Sequence, residues 1–195
     1  MPRSAKPAAK RKPVPGILCL EGDWSPNLEV KQSVKPLLEL LETTDQMRFI
    51  YRGVNTLEEF RYLIRKWPQR QYDRYSIGYL GFHGEAGHLF FGRQSYSLEE
   101  LAEEIGGACQ NRIIYFGSCA VLAVPRARIE RFRKQTGARC VAGYTKYLDW
   151  LQSSAFDLLL FDALTQYKRL DAVERKMHRE YPGLVRKLGF KMFYG

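Results

Sequence analysis

The sequence predicts an α/β protein: a three-layer αβα sandwich built on a mostly parallel sheet of about six strands. Three observations lead there. Short apolar runs with the composition of buried strands recur at residues 16–22, 47–54, 75–82, 112–116, 140–144 and 190–194. Segments with apolar residues at helical spacing separate them, and several of these segments begin at a recognisable cap. Alternation of the two element types, almost without exception, is the signature of parallel strands joined by crossover helices.

In chain order, Gly16-Ile17-Leu18-Cys19-Leu20-Glu21-Gly22 is the first buried strand, closed by Gly22 and Asp23. Val30, Val34, Leu37, Leu38 and Leu41 then recur at helical spacing, and Pro36, tolerated in a first turn, sets the start of the regular helix near residues 33–35. Residues 47–54 give a second strand. Thr56 with Glu59 three residues on forms a capping-box signature for a helix whose apolar face carries Leu57, Phe60, Leu63, Ile64 and Trp67 and which stops at Pro68. Residues 75–84 are the third strand and its turn, and residues 87–92 a short hairpin partner. Ser97 and Glu100 open a further helix that ends at Gly106-Gly107. A strand from Arg112, a basic helix over residues 129–135 ended by Gly137, and a strand over residues 140–144 follow. Residues 150–167 are apolar all round, so this helix is expected deep against the sheet. A charged helix from about Asp171 precedes the last apolar run.

The 195 residues suit one domain with a sizeable core, expected over residues 16–195 behind a disordered basic arm at residues 1–15. Of the net charge of +10, Arg3, Lys6, Lys10, Arg11 and Lys12 supply +5, leaving +5 for the rest. Such an arm is either a solubilising tail or a contact for nucleic acid or another anionic surface. No apolar run reaches the roughly 18–20 residues that cross a bilayer, and the N-terminus lacks a secretory h-region, so no membrane role is expected. Cys19, Cys109, Cys119 and Cys140 are dispersed without a CxxC pair, which fits reduced thiols and a cytoplasmic location.

Two stretches carry the chemistry. Residues 75–84 end in Phe82-His83-Gly84, and residues 112–119 end in Gly117-Ser118-Cys119. As adjacent parallel strands they would bring His83 and Cys119 together at the carboxyl edge of the sheet, where open α/β sheets bind ligands. The interval between them holds one hairpin and one helix, enough for a parallel crossover. A thiol beside an imidazole is the minimum set for covalent cysteine catalysis. The backbone N–H groups of Gly84 and Cys119 are the candidate oxyanion hole. Gly117 and Ser118 are small enough to let a substrate approach, and residues 121–125 read as a loop over the site. A zinc site made of His83, His88, Cys109 and Cys119 is the competing assignment, but it lacks the short-spaced ligand pairs of structural zinc.

The placement of His-Gly and Ser-Cys at the ends of successive strands resembles the caspase-like cysteine peptidases, over roughly residues 16–170. Tyr147-Leu148-Asp149-Trp150-Leu151 also stands where caspases carry Tyr-x-Ser-Trp-Arg. The details are most similar to the bacterial caspase-like and CHAT-type proteins. The resemblance implies a cysteine endopeptidase with Cys119 as nucleophile and His83 as general acid/base, acting on protein or peptide substrates without a cofactor, with a regulatory partner as a further expectation. The caspase Gln-Ala-Cys-x-Gly reads Gly117-Ser118-Cys119-Ala120-Val121 here, and Leu151 replaces the arginine that receives an aspartate side chain. Caspases read that aspartate with arginines after the first and fifth strands; here those positions hold Glu21, Asp23 and Asp149, beside Trp150. The resemblance therefore implies a substrate pocket of Glu21, Asp23, Asp149 and Trp150 and cleavage after Arg or Lys. A catalytically inactive domain serving as a binding or signalling partner is the alternative, because a fold does not dictate its function.

Overall fold

The computed structural model describes residues 15–195, so the basic arm, apart from Pro15, lies outside the described residues. The chain enters through β1 (Gly16–Glu21), α1 (Lys35–Thr43), β2 (Arg48–Gly53), α2 (Leu57–Lys66) and β3 (Ile77–Gly81). A small antiparallel sheet follows, made of β4 (His83–Glu85), β5 (His88–Phe91) and β6 (Gln94–Ser97). Then come α3 (Leu98–Ile105), β7 (Ile113–Phe116), α4 (Arg126–Thr136) and β8 (Cys140–Tyr144), and finally α5 (Trp150–Gln166), α6 (Leu170–Glu180), α7 (Pro182–Leu188) and β9 (Phe190–Tyr194).

The main sheet has six strands in the order β2-β1-β3-β7-β8-β9. The first five are parallel and β9 is antiparallel to β8. Strands β1, β3, β7 and β8 are buried along their whole length, whereas the edge strand β2 is half-exposed. This is the burial that helices on both faces impose, and it is why the inner strands read as continuous apolar runs rather than alternating ones. Helices α2, α3 and α4 cover one face; α1, α5, α6 and α7 cover the other. The architecture is the expected three-layer αβα sandwich.

Local chemistry sets the helix boundaries. Thr56 Oγ1 accepts the Glu59 N–H at the start of α2, and Ser97 with Glu100 forms a complete capping box on α3. Three boundaries differ from the sequence expectation. β6 (Gln-Ser-Tyr-Ser) turns only Tyr96 fully inward, too little apolar signal for a strand to be read. α4 starts at Arg126, directly behind Pro125, because its first turn is polar and carries no periodicity. The C-terminal helix is two helices, broken at Pro182, whose missing N–H cannot extend α6.

The register decides what reaches the carboxyl edge. Cys19, Tyr79 and Tyr115 are neighbours across β1, β3 and β7 and face the α1/α5 layer. β3 and β7 end side by side, with Leu80 opposite Phe116. The chain beyond each is His83 on one side and Cys119 on the other.

Candidate active site

Ser118 fastens the two strand ends. It is fully buried; its Oγ donates to the Leu80 carbonyl (3.1 Å) and accepts the Phe82 N–H (3.0 Å). Phe82 and Ser118 each immediately precede a candidate catalytic residue, so one hydroxyl ties the backbone before His83 to that before Cys119. Ser118 therefore does more than make the space its size suggests. Gly117 likewise has a second reason to lack a side chain: a Cβ there would lie 2.3 Å from the Tyr79 hydroxyl. The loop at residues 121–125 does not cover the site. Val121 and Leu122 are buried, the Val121 carbonyl accepting the Gly87 N–H (3.0 Å) and the Leu122 N–H reaching the Tyr144 carbonyl (3.0 Å), so the loop props up the hairpin from behind.

His83 opens β4 rather than ending β3, and its ring is exposed. Nε2 lies 3.1 Å from the Trp24 carbonyl, which can only accept, so the neutral ring carries its proton on Nε2 and presents Nδ1 as the lone-pair nitrogen. Trp24 also packs edge-on against the imidazole (centroids 5.5 Å apart) and against Trp150 (5.1 Å). Cys119 is half-buried, and its Sγ accepts the Leu148 N–H at 3.4 Å. The other three thiols are inaccessible: burial pushes Cys109 and Cys140 up to about 12, and Cys19 well above its ordinary range. The next residue, Ala120, sits in the left-handed region (φ 50°), and its N–H is tied to the Lys146 carbonyl (3.0 Å). A non-glycine residue held there marks a backbone over-determined by its surroundings.

His83 and Cys119 line one cavity of about 210 Å³ together with Trp24, Val34, Tyr79 and Trp150. Glu85 and His88 close a two-residue hairpin loop as a hydrogen-bonded pair, so the next pair, Gly84 and Leu89, faces without such bonds. The Gly84 N–H is therefore turned away from β5 and stays outside the ladder.

The residues expected to line a substrate pocket are dispersed. Trp150 lines the cavity. Asp149 is exposed and caps α5, its Oδ1 accepting the Gln152 N–H (2.9 Å). Asp23 lines a different cavity, of about 510 Å³, which also borders His83. Glu21 corrects the sequence reading most clearly. It is only 2 % exposed, and its carboxylate is fully engaged by the Trp24 Nε1–H (2.7 Å), Ser33 hydroxyl (2.6 Å), Val34 N–H (2.8 Å) and Tyr51 hydroxyl (2.8 Å). No direct contact with a substrate is left to it. Among the described residues no group of three or more His, Cys, Asp or Glu is arranged to hold a metal, so His83, His88, Cys109 and Cys119 do not form the zinc set.

Trp24, Tyr79 and Asp157 are the site residues that sequence reading missed. The signal for Trp24 is a tryptophan inside a polar Asp-Trp-Ser-Pro-Asn stretch. Tyr79 and Tyr115 each precede a reactive residue by four positions, His83 and Cys119 respectively. Asp157 is an acid on the buried side of an apolar helix, 2 % exposed, and accepts hydrogen bonds from the hydroxyls of Tyr79 (2.8 Å), Tyr115 and Tyr144.

This geometry defines a caspase-like α/β sandwich. Caspase-1 from Spodoptera frugiperda superposes with a TM-score of 0.54 at 14 % sequence identity, over 92 % of this chain and 86 % of that one. No curated protein sequence matches the chain. The chain belongs to a family of unknown function (DUF6642), whose model matches residues 15–194. No helix of the described residues is long and apolar enough to cross a membrane.

Proposed function

We propose that this chain is a cysteine endopeptidase acting after Arg or Lys residues of protein or peptide substrates. The observation that carries the reading is that His83 and Cys119, just beyond the ends of adjacent strands, line one cavity while the Trp24 carbonyl holds the imidazole proton on Nε2. His83 Nδ1 takes the Cys119 proton, and the sulfur attacks the scissile carbonyl carbon. The oxygen, now negative, is stabilised by the Gly84 and Cys119 N–H groups. Collapse breaks the C–N bond, the leaving amine takes the proton from His83, and water, deprotonated by the same nitrogen, hydrolyses the thioester.

A peptidyl acyloxymethyl ketone tests this. It should alkylate Cys119 alone of the four cysteines, and labelling should fail in His83→Ala. Cys119→Ala and His83→Ala should each lose nearly as much turnover as the double variant, as members of one catalytic unit do. Wild-type turnover in Cys119→Ala, or no labelling and no cleavage across a peptide library, defeats the peptidase reading; the latter outcome leaves the inactive binding domain.

A further inference from the structure

Two carboxylates are buried at the walls of the cavity beside Cys119, and every donor to either one is neutral. Glu21 is held by an indole, two hydroxyls and a backbone N–H, of which Trp24 and Val34 themselves line the cavity. Asp157 is held by three phenols, and one of these, Tyr79, also lines the cavity. Glu21 lies two residues beyond Cys19 on β1, and the β3 neighbour of Cys19 is Tyr79, a donor to Asp157, so the two acids flank the same part of the sheet. Hydrogen bonds from neutral groups satisfy the oxygens but leave the charge in place, and at low dielectric that field extends into the adjoining space.

Nothing in the cavity answers it. The lining holds no Lys or Arg, and its one basic group is His83. Lys35, above the Tyr51 ring at 5.9 Å, is exposed and turned to Glu39 (3.6 Å). Asp157 titrates at about 6, raised chiefly by burial, and is ionised at pH 7.5. The open walls are aromatic: Trp24 and Trp150 meet edge to face, presenting ring surface of the kind that receives a guanidinium or ammonium. Uncompensated buried negative charge behind an aromatic, cation-free cavity is a receptor for a cation.

We propose that this cavity is a cation-selective side-chain pocket, in which the charges of Glu21 and Asp157, relayed through Trp24, Val34 and Tyr79, select an arginine or lysine side chain. The proposal rests on the peptidase reading for the placement of that side chain before the scissile bond. It also assigns the selectivity to buried acids rather than to Asp23 and Asp149, which lie off the cavity. Glu21 and Asp157 are positioning residues: they act through the groups that line the pocket.

Arginine against citrulline, its neutral isostere, isolates charge from shape. At pH 7.5, kcat/KM for peptides with arginine before the cleaved bond should exceed that for citrulline by on the order of tenfold or more, the size of one charge interaction across a partly screened interior. Glu21→Gln and Asp157→Asn should each lower that ratio, a readout that mere loss of folded protein does not move. Equal wild-type turnover of the two peptides overturns the proposal without any variant and leaves the peptidase reading standing. A second arm needs no catalysis. With Cys119→Ala, binding of N-acetylarginine methylamide and its citrulline counterpart is followed by tryptophan fluorescence. Preference for the arginine compound with no peptide cleaved by the parent enzyme upholds the pocket and defeats the peptidase; equal binding overturns the pocket.

Discussion

Gly84→Ala tests the oxyanion arrangement at a single atom. Gly84 lies in a strand and outside the left-handed region, so an alanine meets no conformational penalty there. The obstacle is space. A Cβ would stand 2.6 Å from Val121 Cγ2, 2.8 Å from the Cys119 carbonyl oxygen and 3.1 Å from Ser118 Cβ. Val121 is buried, Ser118 is fastened to Leu80 and Phe82, and the chain after Cys119 is tied through Ala120 to Lys146, so none of the three yields easily. The hairpin must back away from the cysteine loop, at an overpacking cost of about 1–3 kcal/mol. Its N–H retreats with it, and loss of one oxyanion donor costs roughly 10²–10³ in kcat. Urea unfolding measures the first quantity and peptide turnover the second. Alkylation of Cys119 by iodoacetamide, which forms no oxyanion, should proceed near the parent rate. Full kcat in a protein destabilised by the expected amount would show that the Gly84 N–H stabilises nothing in the reaction.

Ser118→Ala leaves the Phe82 N–H unpaired in the interior while Leu80 keeps the Gly117 N–H, so urea unfolding should record a loss of about 1–3 kcal/mol; an unchanged midpoint contradicts the staple. Iodoacetamide under native conditions should modify Cys119 well before Cys19, Cys109 and Cys140, which mass spectrometry after digestion reads directly. Asp157 should make stability pH-dependent. Its carboxyl rises from an ordinary 3.8 to about 6 chiefly through burial, so the folded state binds the proton more tightly and the acid's contribution to stability declines as pH rises from about 4 to about 6, by about 3 kcal/mol, then stays flat. Asp157→Asn should lack that decline, and parallel urea-midpoint profiles for the two proteins would refute it.

The fold was legible because its inner strands are buried on both faces and its helices are capped by residues with one evident use. Residues 16–22, 75–82 and 140–144 read as strands for the reason they are strands: no alternation is needed where both faces meet helices. β6 was illegible because its backbone pairing, not its side chains, makes it a strand. At the candidate site, His83 and Cys119 stood out because each is a reactive group after an apolar run, and the parallel register leaves both lining one cavity. Glu21 was misread because sequence gives a residue's place on a strand but not the direction of its carboxylate. Four donors, from Trp24, Ser33, Val34 and Tyr51, close around it only after the chain from β1 to β2 has folded back. Asp157 was missed because its partners lie on three different strands, and no local pattern in α5 records them.

Gly117 links these observations. Where caspases carry glutamine, two residues before the nucleophile, this chain has no side chain, and the space is taken by the Tyr79 ring. Tyr79 in turn donates to Asp157, whose other partners, Tyr115 and Tyr144, belong to the next two strands of the sheet. A glutamine at position 117 would therefore displace the phenol that ties the cavity wall to the buried acid. Gly117, Tyr79 and Asp157 are thus linked by contact: the first leaves the space, the second fills it, and the third accepts its hydroxyl. On the proposed reading, Leu151, 76 % exposed where caspases have their aspartate-binding arginine, takes no part in the pocket, and Asp157 behind Tyr79 backs the cavity wall with negative charge. If the arginine–citrulline comparison bears the proposal out, the departures from the caspase signature have a common effect: they suit the cavity beside Cys119 to a cation.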